Sequence, residues 1–252
     1  MIVLFIKIPN LPTSKVKCVI VDHNAPKSLF DYLDDSNISY IKSCYIKNNI
    51  DAVSTHPDMQ ICHIGGADFV VEPTIYQYYK KELKLYGVNV TKGKKEINCN
   101  YPYDISYNVV IADKLFIHNL KHTDDLILDK VKKTGYGIYN VKQGYTKCAT
   151  CIIDSNALIT SDEGIFNVCK KTGIDSLLIK NDFIKLGNRN DGFIGGCCGM
   201  IGYKTLLFCG NIKAHKSYKD IMNFTEKYGV NIISSSDEIL TDVGSIIPVV
   251  QE

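Results

Sequence analysis

The sequence has almost no net charge: 29 basic residues face 27 acidic ones among 252, a formal +2. It has no basic stripe of the kind that tracks a phosphate backbone, which argues against a nucleic-acid partner. Long apolar runs are missing as well. Residues 1–8 are apolar, but Lys7 interrupts them and Pro9 stops them. That stretch is too short for a signal segment with its flanks and far too short to span a bilayer, which argues against a membrane partner. It is predicted to be a buried first strand of a cytoplasmic protein. No glycine-rich phosphate turn follows it, so a dinucleotide-binding sheet is not indicated. No linker, low-complexity tract or charge block divides the chain, and a single domain over residues 1–252 is expected.

About 45% of the residues are hydrophobic, enough for a substantial core. Ten cysteines are present, with no secretion signal to support a disulfide framework. Cys18, Cys44, Cys62, Cys99, Cys169 and Cys209 stand singly among apolar neighbours and read as small buried hydrophobes. Cys148 and Cys151 form C-x-x-C, a redox or half-zinc signature. No second C-x-x-C and no H-x-x-x-H accompanies it, and adjacent residues such as Cys197 and Cys198 rarely chelate one tetrahedral ion. Neither a metal nor a cofactor is expected.

Five short segments recur along the chain: T-H-P-D-M-Q at 55–60, Y-P-Y-D-I at 101–105, T-K-C-A-T at 146–150, I-G-G-C-C at 194–198 and L-T-D-V-G at 240–244. Counted at His56, Asp104, Cys148, Cys197 and Asp242, the intervals are 48, 44, 49 and 45 residues. A fixed period of this size means one supersecondary unit repeated along a solenoid or around an axis. Each copy reads strand, helix, strand, marker loop, then an apolar strand that opens the next copy. The units fall near 15–60, 61–107, 108–150, 151–200 and 201–250. In the third and fourth, single strands are predicted over 109–117 and 151–160. Helical spacing of Ile165, Val168 and Cys169 follows a Ser161-Asp162-Glu163 cap, and Gly173 ends that helix. The fold class is therefore α/β, built from five pseudo-symmetric units. In a closed ring, equivalent loops meet.

Cys148 is the leading nucleophile candidate, since it lies in a polar turn and follows Lys147, whose charge favours thiolate. In His56-Pro57-Asp58 the proline pushes His56 towards an extended conformation, and residues two apart on an extended chain face one way. His56 then suits general acid/base work, and Asp58 suits orienting it or gripping a cation. Asp104 and Asp242 occupy corresponding loops. Gly195-Gly196 permits either a close backbone approach or a tight turn.

This five-copy pattern, with C-A-T at Cys148 to Thr150 and H-x-D at His56 to Asp58, resembles the guanidino-group-modifying enzymes. Their fold is the five-bladed α/β propeller called a pentein. In that superfamily the base stands two units before the nucleophile, the offset seen between His56 and Cys148. The resemblance thus selects Cys148 over Cys197. Two whole units follow Cys148, so the chain looks circularly permuted relative to the better-known members. It is also similar to a bacterial branch of this fold for which membership fixes no substrate. The family's acidic substrate clamp maps onto Gly196-Cys197 and Asp242, and only Asp242 is acidic.

The resemblance implies a small guanidino substrate. Asp58 and Asp242, with Asp104, would hold the planar cation; Lys147 would meet a substrate carboxylate, and Gly196 would stand at the clamp. Cys148 would attack the central carbon and His56 would protonate the departing amine. Two other readings stay open: a pentein-fold scaffold that binds without turnover, and a thiol redox protein using Cys148 and Cys151.

Overall fold

A computed structural model describes residues 3–47, 51–112, 114–180 and 182–252. Five small sheets carry one shared topology. The second blade shows it most simply: β4 (Ile61–Gly65) turns back into β5 (Asp68–Val71), and a crossover helix, α3 (Tyr76–Lys84), leads to β6 (Asn89–Lys92). The first pair is antiparallel and the second parallel. The third blade repeats this with β7 (Val110–Ala112), β8 (Leu115–His118), α4 (Asp125–Lys132) and β9 (Gly137–Asn140). The fourth uses β10 (Thr150–Asp154), β11 (Ala157–Thr160), α5 (Glu163–Thr172) and β12 (Asp175–Leu178). The fifth uses β13 (Cys198–Gly202), β14 (Thr205–Phe208), α6 (Tyr218–Lys227) and β15 (Asn231–Ser234).

The first blade is assembled from both halves of the chain. β2 (Val16–Val21), α1 (Lys27–Asp35) and β3 (Ser39–Lys42) come early, and β16 (Ile247–Gln251) pairs antiparallel with β2. A short β1 (Leu4–Phe5) adds to the far edge of β16. Its two side chains are exposed, so the expectation of a buried first strand fails: β1 is an edge strand of that sheet. The predicted strands 109–117 and 151–160 are each two-stranded hairpins instead of single strands, because the chain turns at Lys114 and at Ser155-Asn156.

Packing explains the sequence pattern. The strand after each marker loop is buried along nearly its whole length, whereas the third strand of the second to fifth sheets is half-buried or exposed throughout. The former line the ring axis and the latter its rim. Each crossover helix buries a pair of residues four apart: Leu29 and Leu33, Tyr79 and Leu83, Ile127 and Val131, Ile165 and Cys169, Ile221 and Thr225. That spacing is one narrow helical stripe against the sheet. Soon after each helix stands a left-handed residue, Asn37, Gly87, Gly135, Gly173 or Gly229, which turns the chain into the next strand.

The apolar core forms five clusters, and each spans two neighbouring blades, first to second, second to third, and on round to fifth to first. Burial between every adjacent pair closes the ring. The segment before the fifth blade crosses one end of it. Ile184 packs between the fourth and fifth blades, and Leu186 reaches the cluster between the second and third. Among the described residues no helix is long and apolar enough to cross a membrane.

Candidate active site

All five marker loops feed directly into axial strands, so they converge at one end of the ring. The loop of Cys148 is held from below. His118, at the end of β8, is fully buried; its Nε2 lies 2.9 Å from the Gly144 carbonyl and its Nδ1 2.7 Å from Thr123 Oγ1. A carbonyl only accepts, so Nε2 carries a proton. Burial pushes its pKa down to about 3. Thr146 Oγ1 donates to the Asn108 carbonyl at 2.7 Å, and the Gly196 amide donates to the Cys148 carbonyl at 3.0 Å.

Cys148 is 4% exposed. Its Sγ lies 3.0 Å from Asp58 Oδ2 and 3.1 Å from Asn108 Nδ2. Burial pushes the thiol well above its ordinary pKa, Asp58 and Asp242 push it further, and Asn108 works against them. The resting sulfur is therefore a thiol donating to Asp58.

Pro57 opens a short helix, α2 (Pro57–Gln60), with His56 as its extended N-cap. Proline at the first helical position is preorganised for this, so the extended H-x-D expected from the sequence is replaced by a helix start. His56 and Asp58 accordingly point to different partners. The His56 ring lies between two acids, with Nε2 3.6 Å from Asp22 Oδ2 and Nδ1 3.7 Å from Asp242 Oδ1. Gly244, with φ 62°, lies against that ring where no side chain would fit.

Asp58 Oδ2 faces Cys148 and also accepts from Ser245 Oγ at 2.8 Å, leaving Oδ1 buried and without a hydrogen-bond partner. Ser245 in turn accepts from the Lys147 ammonium at 2.9 Å. Lys147 and Asp58 border a small inner cavity of about 20 Å³ on the axis.

Asp242 accepts from the Phe193 amide at 2.8 Å and the Gly244 amide at 3.0 Å, and its carboxyl pKa is raised, first by burial. A Cβ at Gly196 would sit inside that carboxylate. Asp104 stands to one side: Tyr145 donates to its Oδ2 at 2.5 Å, its Oδ1 is buried without a partner, and burial raises its pKa.

The acid-base atoms of His56, Cys148 and Asp242 lie within 4.8 Å of one another, although the residues come from loops 92 and 94 positions apart. Above them opens a pocket of about 770 Å³ lined by His56, Asp22, Asp242, Asn24, Glu238 and Lys185, among others. Asp104, Lys147 and Asp58 do not border it. Sequence reasoning left out Asp22, Asn108 and Ser245. Asp22 stands against the His56 ring opposite Asp242, and its signal was a carboxylate directly after an apolar strand, V-I-V-D. The C-x-x-C thiols are divided: Cys148 faces Asp58, whereas Cys151 Sγ lies 3.3 Å from Cys198 Sγ. All ten cysteines are free; Cys99 is exposed and Cys44 half-buried, unlike the buried thiols expected.

Five strand-helix-strand blades in a closed ring, with loops from different blades meeting at one end of the axis, define a pentein-fold protein. Solved structures agree. The chain is similar to the amidinotransferase SxtG of the saxitoxin biosynthetic pathway from Microseira wollei, with 10% identity, TM-score 0.58, and 95% of this chain and 96% of that one covered. It is similar to the inosamine-phosphate amidinotransferase StrB1 from Streptomyces griseus, with 9% identity, TM-score 0.59, and 97% and 96% covered. A third is DDAH from Pseudomonas aeruginosa, solved as a cysteine-to-serine mutant complexed with citrulline, with 9% identity, TM-score 0.55, and 88% and 93% covered. At such identities the likeness is one of fold. Within that fold the chain belongs to the family of unknown function DUF6873, whose profile matches residues 20–247. No curated protein sequence matches it.

Proposed function

We propose that this protein is a cysteine-dependent hydrolase or transferase acting on a guanidino or amidine compound, with Cys148 as nucleophile and His56 as general acid/base. The observation that carries this reading is the convergence of Cys148, His56 and Asp242 within 4.8 Å under an acid-lined pocket. The structural neighbours named above include two amidinotransferases, which supports the same chemistry.

A guanidinium is a planar cation with several donors, and Asp22 and Asp242 flank His56 where such a group would seat. The arriving positive charge opposes what the acids do to the thiol, so binding lowers the Cys148 pKa. Cys148 Sγ then bonds to the central carbon as its proton passes to Asp58 Oδ2. The C–N bond breaks, His56 delivers a proton to the leaving nitrogen, and a thiouronium remains on Cys148. Next, water gives a proton to His56 and its oxygen bonds to the same carbon. The C–S bond breaks, the thiol regains its proton from Asp58 and a ureido product leaves. In a transferase an acceptor amine takes the place of water. Lys147, engaged with Ser245 away from the pocket, acts in this reading through Ser245 and Asp58 and not on a substrate carboxylate.

The test is release of ammonia or amine from arginine, agmatine, methylated arginines and short guanidino acids, with acid-quenched mass spectrometry for a Cys148 adduct. Cys148→Ala should abolish both signals while leaving the fold intact. Neither turnover nor adduct across the panel at high enzyme concentration would reject the reading. One observation favours a second reading, a pentein-fold binding protein: Cys148 is nearly closed off from the pocket. It predicts ligand-dependent stabilisation that Cys148→Ala retains, with no adduct.

A further inference from the structure

Asn108 lies two residues before β7 and is wholly buried. Its Oδ1 accepts from two successive backbone amides of the nucleophile loop, Lys147 at 2.8 Å and Cys148 at 3.2 Å. Those bonds decide which end of the carboxamide is oxygen, because a backbone N–H can only donate. The NH₂ group must therefore face the other way, where it meets two sulfurs: Cys148 Sγ at 3.1 Å and Met59 Sδ at 3.3 Å. A thioether and a neutral thiol are both weak acceptors, so two buried N–H donors are poorly matched at rest. The mismatch ends when Cys148 ionises, since an N–H donor to an anion makes a charge-assisted bond about twice as strong as a neutral one.

We propose that Asn108 is the positioning residue that permits Cys148 to ionise, its oxygen fixing the nucleophile loop and its NH₂ group aimed at the sulfur to receive the developing thiolate. This rests on the reading of Cys148 as nucleophile. The surroundings make such a donor necessary. Asp58 and Asp242 face the sulfur and oppose its ionisation, and the Tyr145 hydroxyl, near enough to couple with it, is spent on Asp104. His56 lies between Asp22 and Asp242, and the Lys147 ammonium is turned to Ser245. Asn108 is a neutral donor aimed at the sulfur itself. It is also the group that acts against burial and the two acids on the thiol.

The test is the pH profile of Cys148 alkylation by iodoacetamide in the intact protein, followed by peptide mass, in wild type, Asn108→Asp and Asn108→Leu. Both variants lose the donor; Asn108→Asp keeps the volume but brings a carboxylate that by itself raises the midpoint, so the neutral, somewhat larger Asn108→Leu decides. The expected result is a rise in the profile's midpoint of about one unit or more, hence roughly tenfold slower alkylation below it, with the plateau rate at high pH preserved. A purely structural role for Asn108 would change the plateau and leave the midpoint of Asn108→Leu in place, and that outcome overturns the proposal. Should the variants not fold, ¹⁵N-labelled wild type answers the question. The Asn108 side-chain amide should titrate with the midpoint of Cys148 alkylation, and a resonance indifferent to that ionisation overturns the proposal equally. Alkylation needs no substrate, so the two ideas separate. A shifted midpoint without turnover rejects only the catalytic reading, and turnover with an unshifted midpoint rejects only the role of Asn108.

Discussion

Gly196→Ala tests whether the marker loops are held by mutual exclusion of side chains. The added Cβ would occupy the space of the Asp242 carboxylate, which the Phe193 and Gly244 amides hold at 2.8 and 3.0 Å. The carboxylate cannot swing away without giving up at least one of these bonds, and hydrogen bonds to a charged group are each worth about 1.5–3 kcal/mol. Backbone movement is no easier: the Gly196 amide donates to Cys148, and its carbonyl accepts from Val243 and Ser245. Overpacking of a closed site adds about 1–3 kcal/mol, and since the two costs are alternatives in part, we expect roughly 3 kcal/mol in all. For a chain of this size that lowers Tm by roughly 6–12 °C. Gly202→Ala is the control, since the nearest atom to its added Cβ is a side-chain carbon at 3.7 Å. Scanning calorimetry of both variants decides. A Gly196→Ala protein within about 2 °C of wild type, the shift of a change below roughly 1 kcal/mol, with unaltered Cys148 adduct formation, would refute the reasoning.

Two further predictions concern the groups beneath the site. His118 titrates near 3 when folded and near 6.5 when unfolded, so the unfolded chain binds the extra proton between these values and stability declines as pH falls through that window. Asp104 and Asp242, with raised pKa values, act in the opposite sense, so the clean measurement is a difference. Near pH 5, His118→Gln should reduce the pH slope of the unfolding free energy by roughly 1.4 kcal/mol per pH unit; an unchanged slope contradicts a buried neutral ring. Ser245 has φ 72°, and its hydroxyl joins Lys147, Asp58 and the Gly195 carbonyl. Ser245→Ala and Ser245→Gly lose the same hydroxyl, but glycine relieves the left-handed backbone. Urea titration should find the glycine variant more stable by about 1 kcal/mol, and the reverse order would show that the backbone there is unstrained.

The five-unit architecture was legible because each blade is local in sequence. One helix with two residues four apart, a left-handed residue after it and an apolar strand after each marker loop all lie within some 45 residues. Cys148, His56 and Asp242 were legible for the same reason, as chemically loaded residues at equivalent loops. Asp22 and Asn108 were not. Each sits at the edge of a strand, outside the marker loops, where a polar residue normally just ends or begins an element. Their roles depend on contacts 34 and 40 residues away, to His56 and Cys148. The failure at His56-Pro57-Asp58 was one of local physics: proline favours an extended residue before it and a helix after it, and only the second effect separates His56 from Asp58.

The pairing of β16 with β2 has a consequence for biosynthesis. During translation the second to fifth blades can each form soon after their residues emerge, but the first must wait, half built, for residues 247–251. Asp242, Gly244 and Ser245 arrive in the same late stretch. A ribosome stalled after the fifth crossover helix would leave an open ring, with Cys148 in place but no Asp242 beside His56. A prematurely terminated chain therefore lacks the Asp242 carboxylate and the closing strand of the first blade at once.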